Sequence, residues 1–425
     1  MVIGITERYL ENTLLSQRDM ENFFRRFFKR RVGKLKTLQI EVTSRCNLPG
    51  CIMCPRTAFS DRWQNQDMSW QTFENLSRSF NRFDMIYMSG WGEPLMHPRI
   101  WDMVALAKES GKKVGFTTNG LLINDTVRKK LLDLVDVIGI SVDGVTARTY
   151  QKIRPGSEFK QVIENIRQLI ELKRRKRQST PEVGILFMKM KTNIHELVPM
   201  IELSAELGVD KVVATNLDYL AKPLDDSLRA FSDGEVPEEY KSITQKADEV
   251  AKKLSITFRD YPLAPRGDVV SCEALPLETL CVSWQGHLSP CVYLCLPVQG
   301  KFRRIYYGEE FDCENLFFGN INQVDLKALL RDKRYQDFLS YFSSRKGAFQ
   351  RYSNKYGYSV YYAFSESRSD FEIASDGITD LESAAEWLDG IRRPGAGEPS
   401  DEITAISKGF PFPPECHTCY KRFGF

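Results

Sequence analysis

From Lys36 onward, short runs rich in β-branched and aromatic residues alternate with longer segments that have a helical hydrophobic pattern. The strand candidates are residues 37–42, 85–89, 113–118, 137–142, 183–189 and 211–215. Helical segments between and after them include residues 100–110, 125–134, 159–176 and 194–207. Six strand–helix units in succession predict an α/β fold with a parallel sheet, either a barrel or a partial barrel. Such sheets bind ligands at the carboxyl ends of their strands.

The pattern changes at both ends of this region. Residues 1–35 predict an amphipathic helix, in which leucines and phenylalanines recur at helical spacing with arginines and lysines between them. We expect this helix to dock on the following domain, and a membrane-surface or partner helix is the alternative. The alternation stops near residue 265, and seven of the ten cysteines follow. We predict a first domain over residues 36–265 and a second over 266–425, with an insertion at about 341–399.

Composition narrows the possible functions. The chain has 425 residues, 42% of them hydrophobic, with 59 Lys and Arg against 56 Asp and Glu and a net charge of +3. This balance argues against a dedicated nucleic-acid binder. No run approaches the roughly 20 apolar residues of a transmembrane helix, and no signal peptide is evident, so a cytoplasmic protein is expected. Cysteines in a cytosolic chain are more often metal ligands or catalytic groups than disulfides.

Three cysteines follow the first predicted strand within nine residues: Cys46, Cys51 and Cys54. Close thiolates on a loop suit an iron–sulfur cluster or zinc. A structural zinc takes four ligands, and the next Cys or His along the chain is His97. Three ligands leave one metal position open, where a 4Fe-4S cluster could bind a substrate. A zinc site completed by a distant residue, or unliganded buried thiols, are the alternatives.

Further motifs follow the next strands in order. They are Ser-Gly-Trp-Gly-Glu-Pro-Leu at 89–95, Thr-Thr-Asn-Gly at 117–120, Ile-Ser-Val-Asp-Gly at 140–144 and Arg-Pro-Gly at 154–156. Asn-Gly and Asp-Gly alone would be explained by turns. Taken together with the cysteine loop, this series over about residues 37–215 resembles the radical SAM superfamily. The usual C-x3-C-x2-C signature is C-x4-C-x2-C here, because Pro49-Gly50 lengthens the first loop.

This resemblance implies a partial (β/α)6 TIM-like barrel and a reaction. Three irons of a 4Fe-4S cluster would be held by Cys46, Cys51 and Cys54, and the fourth would chelate S-adenosylmethionine (SAM). Reductive cleavage of SAM would give a 5'-deoxyadenosyl radical that abstracts hydrogen from a substrate, with no side-chain acid or base assigned. The implied SAM-binding residues are Gly90, Gly92, Glu93, Asn119, Ser141, Asp143 and Arg154.

A second cysteine group lies in the C-terminal part. Cys272 and Cys291 flank a predicted hairpin about Gln285-Gly286, and the end of the chain supplies Cys416-x2-Cys419. Four such thiols suit either 4Fe-4S or zinc. The arrangement resembles the SPASM or twitch extension, which implies one auxiliary 4Fe-4S cluster. The remaining cysteines are not assigned, although Cys281 could replace Cys272, and neither His287 nor His417 is included.

Three functions are compatible with these patterns. The resemblance favours a radical SAM maturase that modifies a peptide or protein after translation or matures a metalloenzyme. The first alternative is oxidation or epimerisation of a small metabolite, and the second is a non-catalytic zinc-binding scaffold. Because radical SAM clusters need a low-potential electron, a ferredoxin or flavodoxin is an implied partner.

Overall fold

A computed structural model describes residues 35–232, 234–266, 269–356 and 401–424. A nine-stranded sheet forms its centre, in the spatial order β7-β6-β5-β4-β3-β2-β1-β8-β9. Every neighbouring pair is parallel except β8 with β9. The strands of this sheet are β1 Thr37–Ile40, β2 Met85–Tyr87, β3 Lys113–Thr118, β4 Val137–Ser141, β5 Glu182–Lys189, β6 Lys211–Asn216, β7 Thr257–Asp260, β8 Thr279–Val282 and β9 Leu288–Ser289.

Helices connect the strands and cover the sheet, as right-handed parallel crossovers require. The α-helices are α1 Pro55–Ala58, α2 Trp70–Ser77, α3 Ile100–Glu109, α4 Asp125–Leu134, α5 Ala147–Ile153, α6 Phe159–Arg175, α7 Leu197–Leu207, α8 Pro223–Leu228, α9 Glu238–Lys253, α10 Leu326–Leu329, α11 Lys333–Tyr356 and α12 Asp401–Gly409. In α6, Val162, Ile166 and Ile170 recur at four-residue spacing and are buried. Within the described residues, no helix is both long and apolar enough to span a membrane.

The six strands predicted from the sequence all form, and the α/β class with a partial barrel is confirmed. Three strands were not predicted as part of this sheet. β7 extends one edge, while β8 pairs with β1 in parallel and brings β9 with it. The sheet therefore continues past residue 265 and joins both halves of the chain. Helices α3 and α6 end one residue before their predicted ends, and the helical segment from residue 194 begins as a 3-10 turn.

The C-terminal part adds small elements to this sheet. The predicted hairpin about Gly286 is present as β8 and β9, and Gly286 adopts a φ of 86° in its turn. A separate antiparallel pair is formed by β10 Phe302–Tyr306 and β11 Glu309–Cys313. The predicted insertion begins inside α11, and its residues 357–399 lie outside the described residues, as do residues 1–34 of the predicted N-terminal helix.

Candidate functional site

One cavity, with a volume of about 250 Å³, collects the predicted site residues at the carboxyl ends of the strands. The loops after β1, β2, β3 and β4 each contribute to its wall, as expected for parallel strands that end at a common edge. The predicted residues lining it are Cys46, Cys51, Cys54, Gly90, Gly92, Glu93, Asn119, Ser141 and Arg154. Asp143 is the one predicted SAM-binding residue that is not part of this lining.

The cysteine loop is held by backbone hydrogen bonds. The amide of Leu48 donates to Cys46 Sγ at 3.5 Å, and the hydroxyl of Thr57 donates to the Cys51 carbonyl at 2.8 Å. The Cys54 amide donates to the same carbonyl at 3.2 Å, directly before α1. The longer first loop therefore still turns all three thiols into one cavity.

These thiols suit a metal cluster by their chemistry and burial. Burial raises the pKa of Cys46 and of Cys51, and it raises the pKa of Cys54 to about 12. Thiolates in such a place need a cationic partner, and iron supplies one. In the described residues, no three His, Cys, Asp or Glu side chains converge as ligands of one ion. A 4Fe-4S cluster spreads its thiolates over separate irons, so the three thiols fit it without that convergence.

Gly90 and Gly92 are required by the packing of the loop after β2. A Cβ at Gly90 would lie 2.4 Å from Glu41 Cγ, and one at Gly92 would lie 2.3 Å from the carbonyl oxygen of Thr43. Both glycines thus allow this loop to lie directly against the segment between β1 and Cys46. This contact with the chain itself exists in addition to any approach to a ligand.

Glu93 joins the loop after β2 to the end of β3. It is buried, and its Oε1 accepts hydrogen bonds from Thr118 Oγ1 at 2.8 Å and the Leu95 amide at 3.2 Å. Its Oε2 accepts from the Asn119 amide at 2.8 Å. Burial raises the pKa of Glu93, and these hydrogen bonds oppose that change. The carboxylate predicted to meet the SAM amino group is therefore oriented by the protein beforehand.

Asn119 and Ser141 complete this side of the cavity. The amide Nδ2 of Asn119 donates to Asn47 Oδ1 at 2.7 Å and lies 4.0 Å from Cys46 Sγ. Asn119 thus fastens the end of β3 to the cysteine loop. Ser141 lies at the last position of β4 and lines the cavity.

Asp143 acts behind the cavity wall. Its side chain is fully buried, and Oδ2 accepts a hydrogen bond from Arg154 Nε at 2.6 Å. Its Oδ1 accepts from the Met188 amide at 2.8 Å. The neighbouring Asp143 carboxylate raises the pKa of Arg154 against the effect of burial. The family resemblance implies a place for Asp143 near SAM, and in the structure Asp143 pairs with Arg154, which lines the cavity.

A further part of the cavity wall was not predicted from the sequence. It is formed by Trp91, Asp218, Tyr219 and Tyr293. The three aromatic rings lie 5.3 to 5.6 Å apart by their centroids. Tyr293 donates its hydroxyl proton to Asp218 Oδ1 at 2.6 Å, and Lys421 Nζ lies 2.7 Å from Asp218 Oδ2. Asp218 and Tyr219 directly follow β6, a position that could have identified them, but Tyr293 could not be placed without the fold.

The second predicted thiol group also assembles. Through-space interactions among Cys272, Cys291, Cys416 and Cys419 raise the pKa of several of them, after burial as the first cause. The pKa of Cys291 reaches about 12. Two of these thiols lie close along the chain to residues of the Asp218 hydrogen-bond and ion-pair cluster: Cys291 precedes Tyr293 by two residues, and Cys419 precedes Lys421 by two. The thiol group is thus linked along the chain to the residues around Asp218.

The three unassigned cysteines occupy two different surroundings. Burial and a hydrogen bond between Cys281 and Cys295 hold the pKa of Cys295 well above its usual range, and neither thiol lines the cavity. Cys313 Sγ lies 4.0 Å from Thr418 Oγ1. His417 Nε2 hydrogen-bonds the Phe412 carbonyl at 3.0 Å, and His287 stacks on Phe317. All ten cysteines are free thiols in the structure.

Comparison with protein families identifies the class. Residues 40–215 match the radical SAM superfamily, and residues 272–354 match SPASM, an iron–sulfur cluster-binding domain. The chain therefore belongs to the radical SAM superfamily. More particularly, it is a SPASM-containing radical SAM enzyme, and the cofactors of that class are 4Fe-4S clusters and SAM. This assignment favours an enzyme over the zinc-binding scaffold.

Two curated relatives are matched over most of their own length. The chain is 29% identical over 322 residues to the tungsten-containing aldehyde ferredoxin oxidoreductase cofactor-modifying protein of Pyrococcus furiosus, covering 72% of this chain and 83% of that protein. It is 23% identical over 270 residues to a probable GTP 3',8-cyclase of Methanocaldococcus jannaschii, covering 61% and 85% respectively. The similarity to each relative is therefore not confined to a single motif.

Solved structures share the fold at low sequence identity. Streptococcus suis SuiB bound to S-adenosylmethionine matches with a TM-score of 0.53 and 14% identity, covering 77% of this chain and 74% of that chain. Native anSMEcpe with bound AdoMet matches with a TM-score of 0.50 and 16% identity, covering 72% and 84%. These similarities support the same α/β architecture.

Proposed function

We propose that this chain is a maturase that cleaves SAM reductively and abstracts hydrogen from a peptide or protein substrate. The observation that carries this proposal is the shared cavity, whose lining combines three thiols with an aromatic and acidic wall. Cys46, Cys51 and Cys54 would hold the SAM-binding cluster. When bound, the cluster supplies one electron that breaks a carbon–sulfur bond of SAM to give the 5'-deoxyadenosyl radical.

The protein's own contribution would be to position SAM and exclude water. Arg154, held by Asp143, offers a fixed positive charge for the SAM carboxylate. Glu93 and Asn119 offer oriented oxygen atoms beside the same space. Ser141 and the glycines of the loop after β2 would border the rest of the nucleotide. Fixed geometry of this kind favours the reacting conformation over others.

The wall of Asp218, Tyr219 and Tyr293 is the proposed place for the substrate. It lines the same cavity as the thiols, and it combines apolar rings with a hydrogen-bonded carboxylate. Such a surface suits a polar substrate group presented on an otherwise apolar segment. The name of the Pyrococcus relative, a cofactor-modifying protein, supports maturation of a metalloenzyme as one form of this activity.

The auxiliary site would hold one 4Fe-4S cluster on Cys272, Cys291, Cys416 and Cys419. The match to the SPASM domain and the mutual interactions of these thiols support this assignment. We propose a ferredoxin or flavodoxin as the electron donor, since the cluster needs a low-potential electron. The free thiols are consistent with a reducing cytoplasm.

A second candidate is chemistry on a small metabolite, as oxidation or epimerisation. One observation favours it: several relatives at 23 to 26% identity are named probable GTP 3',8-cyclases. Incubation of the reduced protein with SAM and each substrate class separates the two candidates. Mass change of a peptide or protein coupled to 5'-deoxyadenosine supports the maturase, whereas coupling to a small metabolite alone refutes it.

A further inference from the structure

A second cavity lies between the loop after β1 and the C-terminal part, and its volume is also about 250 Å³. It shares no lining residue with the cavity that contains Cys46, Cys51 and Cys54 and is proposed to bind SAM, called the SAM cavity below. Trp284, Phe317 and Pro297 contribute apolar surface, and Gln64 and Gln299 contribute amides. A single ordered water needs about 10 to 15 Å³ of such space, so this cavity has room for an organic group.

Glu41 is the acidic group of this second cavity. It is 2% exposed, and its Oε1 accepts a hydrogen bond from the Trp91 amide at 3.2 Å. Within the described part of the chain its Oε2 is buried without a hydrogen-bond partner, although the Trp284 backbone approaches the carboxyl group. A buried oxygen that lacks a hydrogen bond destabilises the folded protein, and a ligand that donates a hydrogen bond to it would remove this penalty. An apolar or anionic ligand would leave this cost in place or increase it.

The charges of the lining residues indicate the charge of the ligand. The described residues that line the second cavity include no Lys, Arg or His. Glu41 therefore has no cationic neighbour in the wall, and a cation bound there would stabilise the ionised form of this buried carboxyl group. Trp284 and Phe317 add aromatic surface of the kind that attracts cations. Amide and hydroxyl oxygens of Gln64, Gln299 and Ser283 supply acceptors for additional N–H donors.

We propose that the second cavity binds an alkylammonium group, with Glu41 Oε2 accepting one of its protons. Two sources carry this chemistry, a lysine side chain of a peptide and a free alkylamine. If the ligand is a peptide lysine, the cavity is a recognition site for the substrate, and this part of the proposal rests on the proposed function. Because Glu41 also binds the amide of Trp91, which lines the SAM cavity, a ligand here would contact a residue shared by both sites.

Ligand-observed NMR titration of the full, anaerobically reconstituted chain tests the proposal without SAM. The probes are a capped Gly-Lys-Gly peptide, the same peptide with norleucine for lysine, and butylammonium chloride. We expect the lysine peptide to bind at least tenfold more tightly than the norleucine peptide. Glu41→Gln should remove this preference, while Glu109→Gln at an exposed helix position should keep it. Equal binding of the two peptides, or an unchanged preference in Glu41→Gln, overturns the proposal.

Two further measurements complete the test. A second variant guards against a folding defect in Glu41→Gln, and a comparison of two probes distinguishes a peptide lysine from a free alkylamine. Gln299 is exposed at the cavity, so Gln299→Lys leaves the core intact and should weaken the lysine peptide several-fold by like-charge repulsion. An unchanged affinity in that variant counts against the site. Tighter binding of the lysine peptide than of butylammonium supports the peptide source, and equal binding supports the free amine. Loss of SAM cleavage would contradict the proposed function and leave these binding results unaffected.

Discussion

Asp143 and Arg154 form a buried ion pair, in which Arg154 Nε donates to Asp143 Oδ2 at 2.6 Å. The Arg154 side chain lines the SAM cavity, whereas the Asp143 side chain lies behind it. The Met188 amide donates to the other oxygen of the carboxylate. The direction of Arg154 is thereby fixed by a residue at the end of β4 and by the backbone of β5.

Asp143→Asn should weaken SAM binding through Arg154. The variant leaves a buried guanidinium without its counter-charge, a change that typically costs several kcal/mol in buried pairs. We expect at least a tenfold rise in the dissociation constant for SAM, with the iron content of the reconstituted protein unchanged. Equilibrium dialysis with labelled SAM measures the first quantity. The exposed ion pair of Arg303 and Glu310 provides the control, since Glu310→Gln should change neither the dissociation constant for SAM nor the iron content.

Removal of any thiol of the first group should abolish SAM cleavage. Cys46→Ala, Cys51→Ala and Cys54→Ala each take away one of three cluster ligands, so we expect no 5'-deoxyadenosine above background by chromatography. Cys281→Ala, a buried thiol outside the SAM cavity, serves as the matched control and should retain cleavage. Undiminished 5'-deoxyadenosine in the three variants would refute the assignment.

The second thiol group should account for a separate portion of the iron. Cys416→Ala or Cys419→Ala should lower the iron content from about eight to about four atoms per chain, as expected for two 4Fe-4S clusters. Iron and sulfide analysis after anaerobic reconstitution measures this change. An iron content that stays the same in both variants would show that these thiols are not cluster ligands.

Alanine at the loop glycines should destabilise the chain in a defined order. The Cβ of Gly92→Ala would meet backbone atoms at 2.3 to 2.8 Å, whereas that of Gly90→Ala would meet the Glu41 side chain. A side chain moves more easily than backbone, so Gly92→Ala should lower the melting temperature more than Gly90→Ala. A Cβ added at Gly409 would have no heavy atom of the described residues within 4 Å, and Gly409→Ala should be close to neutral.

The stability of the chain should depend on pH through Glu41. Burial raises its pKa from 4.5 to about 8, so the folded state binds this proton more tightly than the unfolded state does. The contribution of Glu41 to the free energy of unfolding is therefore fully present below about pH 4.5, and it is lost as the pH rises through about 8. Glu41→Gln removes this titrating group, so between about pH 5 and 8 the melting temperature of the variant should fall less than that of the unmutated protein. An equal fall in both proteins would contradict it.

The order of residues along the chain is enough to predict the six strands of the core and the class of fold, and it singles out the thiols of both groups as candidate ligands. Strands buried on both faces have apolar runs that can be read locally, and Cys46, Cys51 and Cys54 lie within nine residues of one another. The glycines and Glu93 were also found, because each motif directly follows a strand end. These features depend on neighbours close along the chain.

Which of these residues face the cavity, and what else lines it, depends on the packing of distant segments. Asp143 lies behind Arg154, and Tyr293 meets Asp218 across 75 residues of chain. The strand β8 pairs with β1, Thr279 with Thr37, so the second half of the chain completes the sheet of the first. Such pairings arise from packing and hydrogen bonding between distant segments, and no local pattern of residues encodes the direction in which a side chain then points.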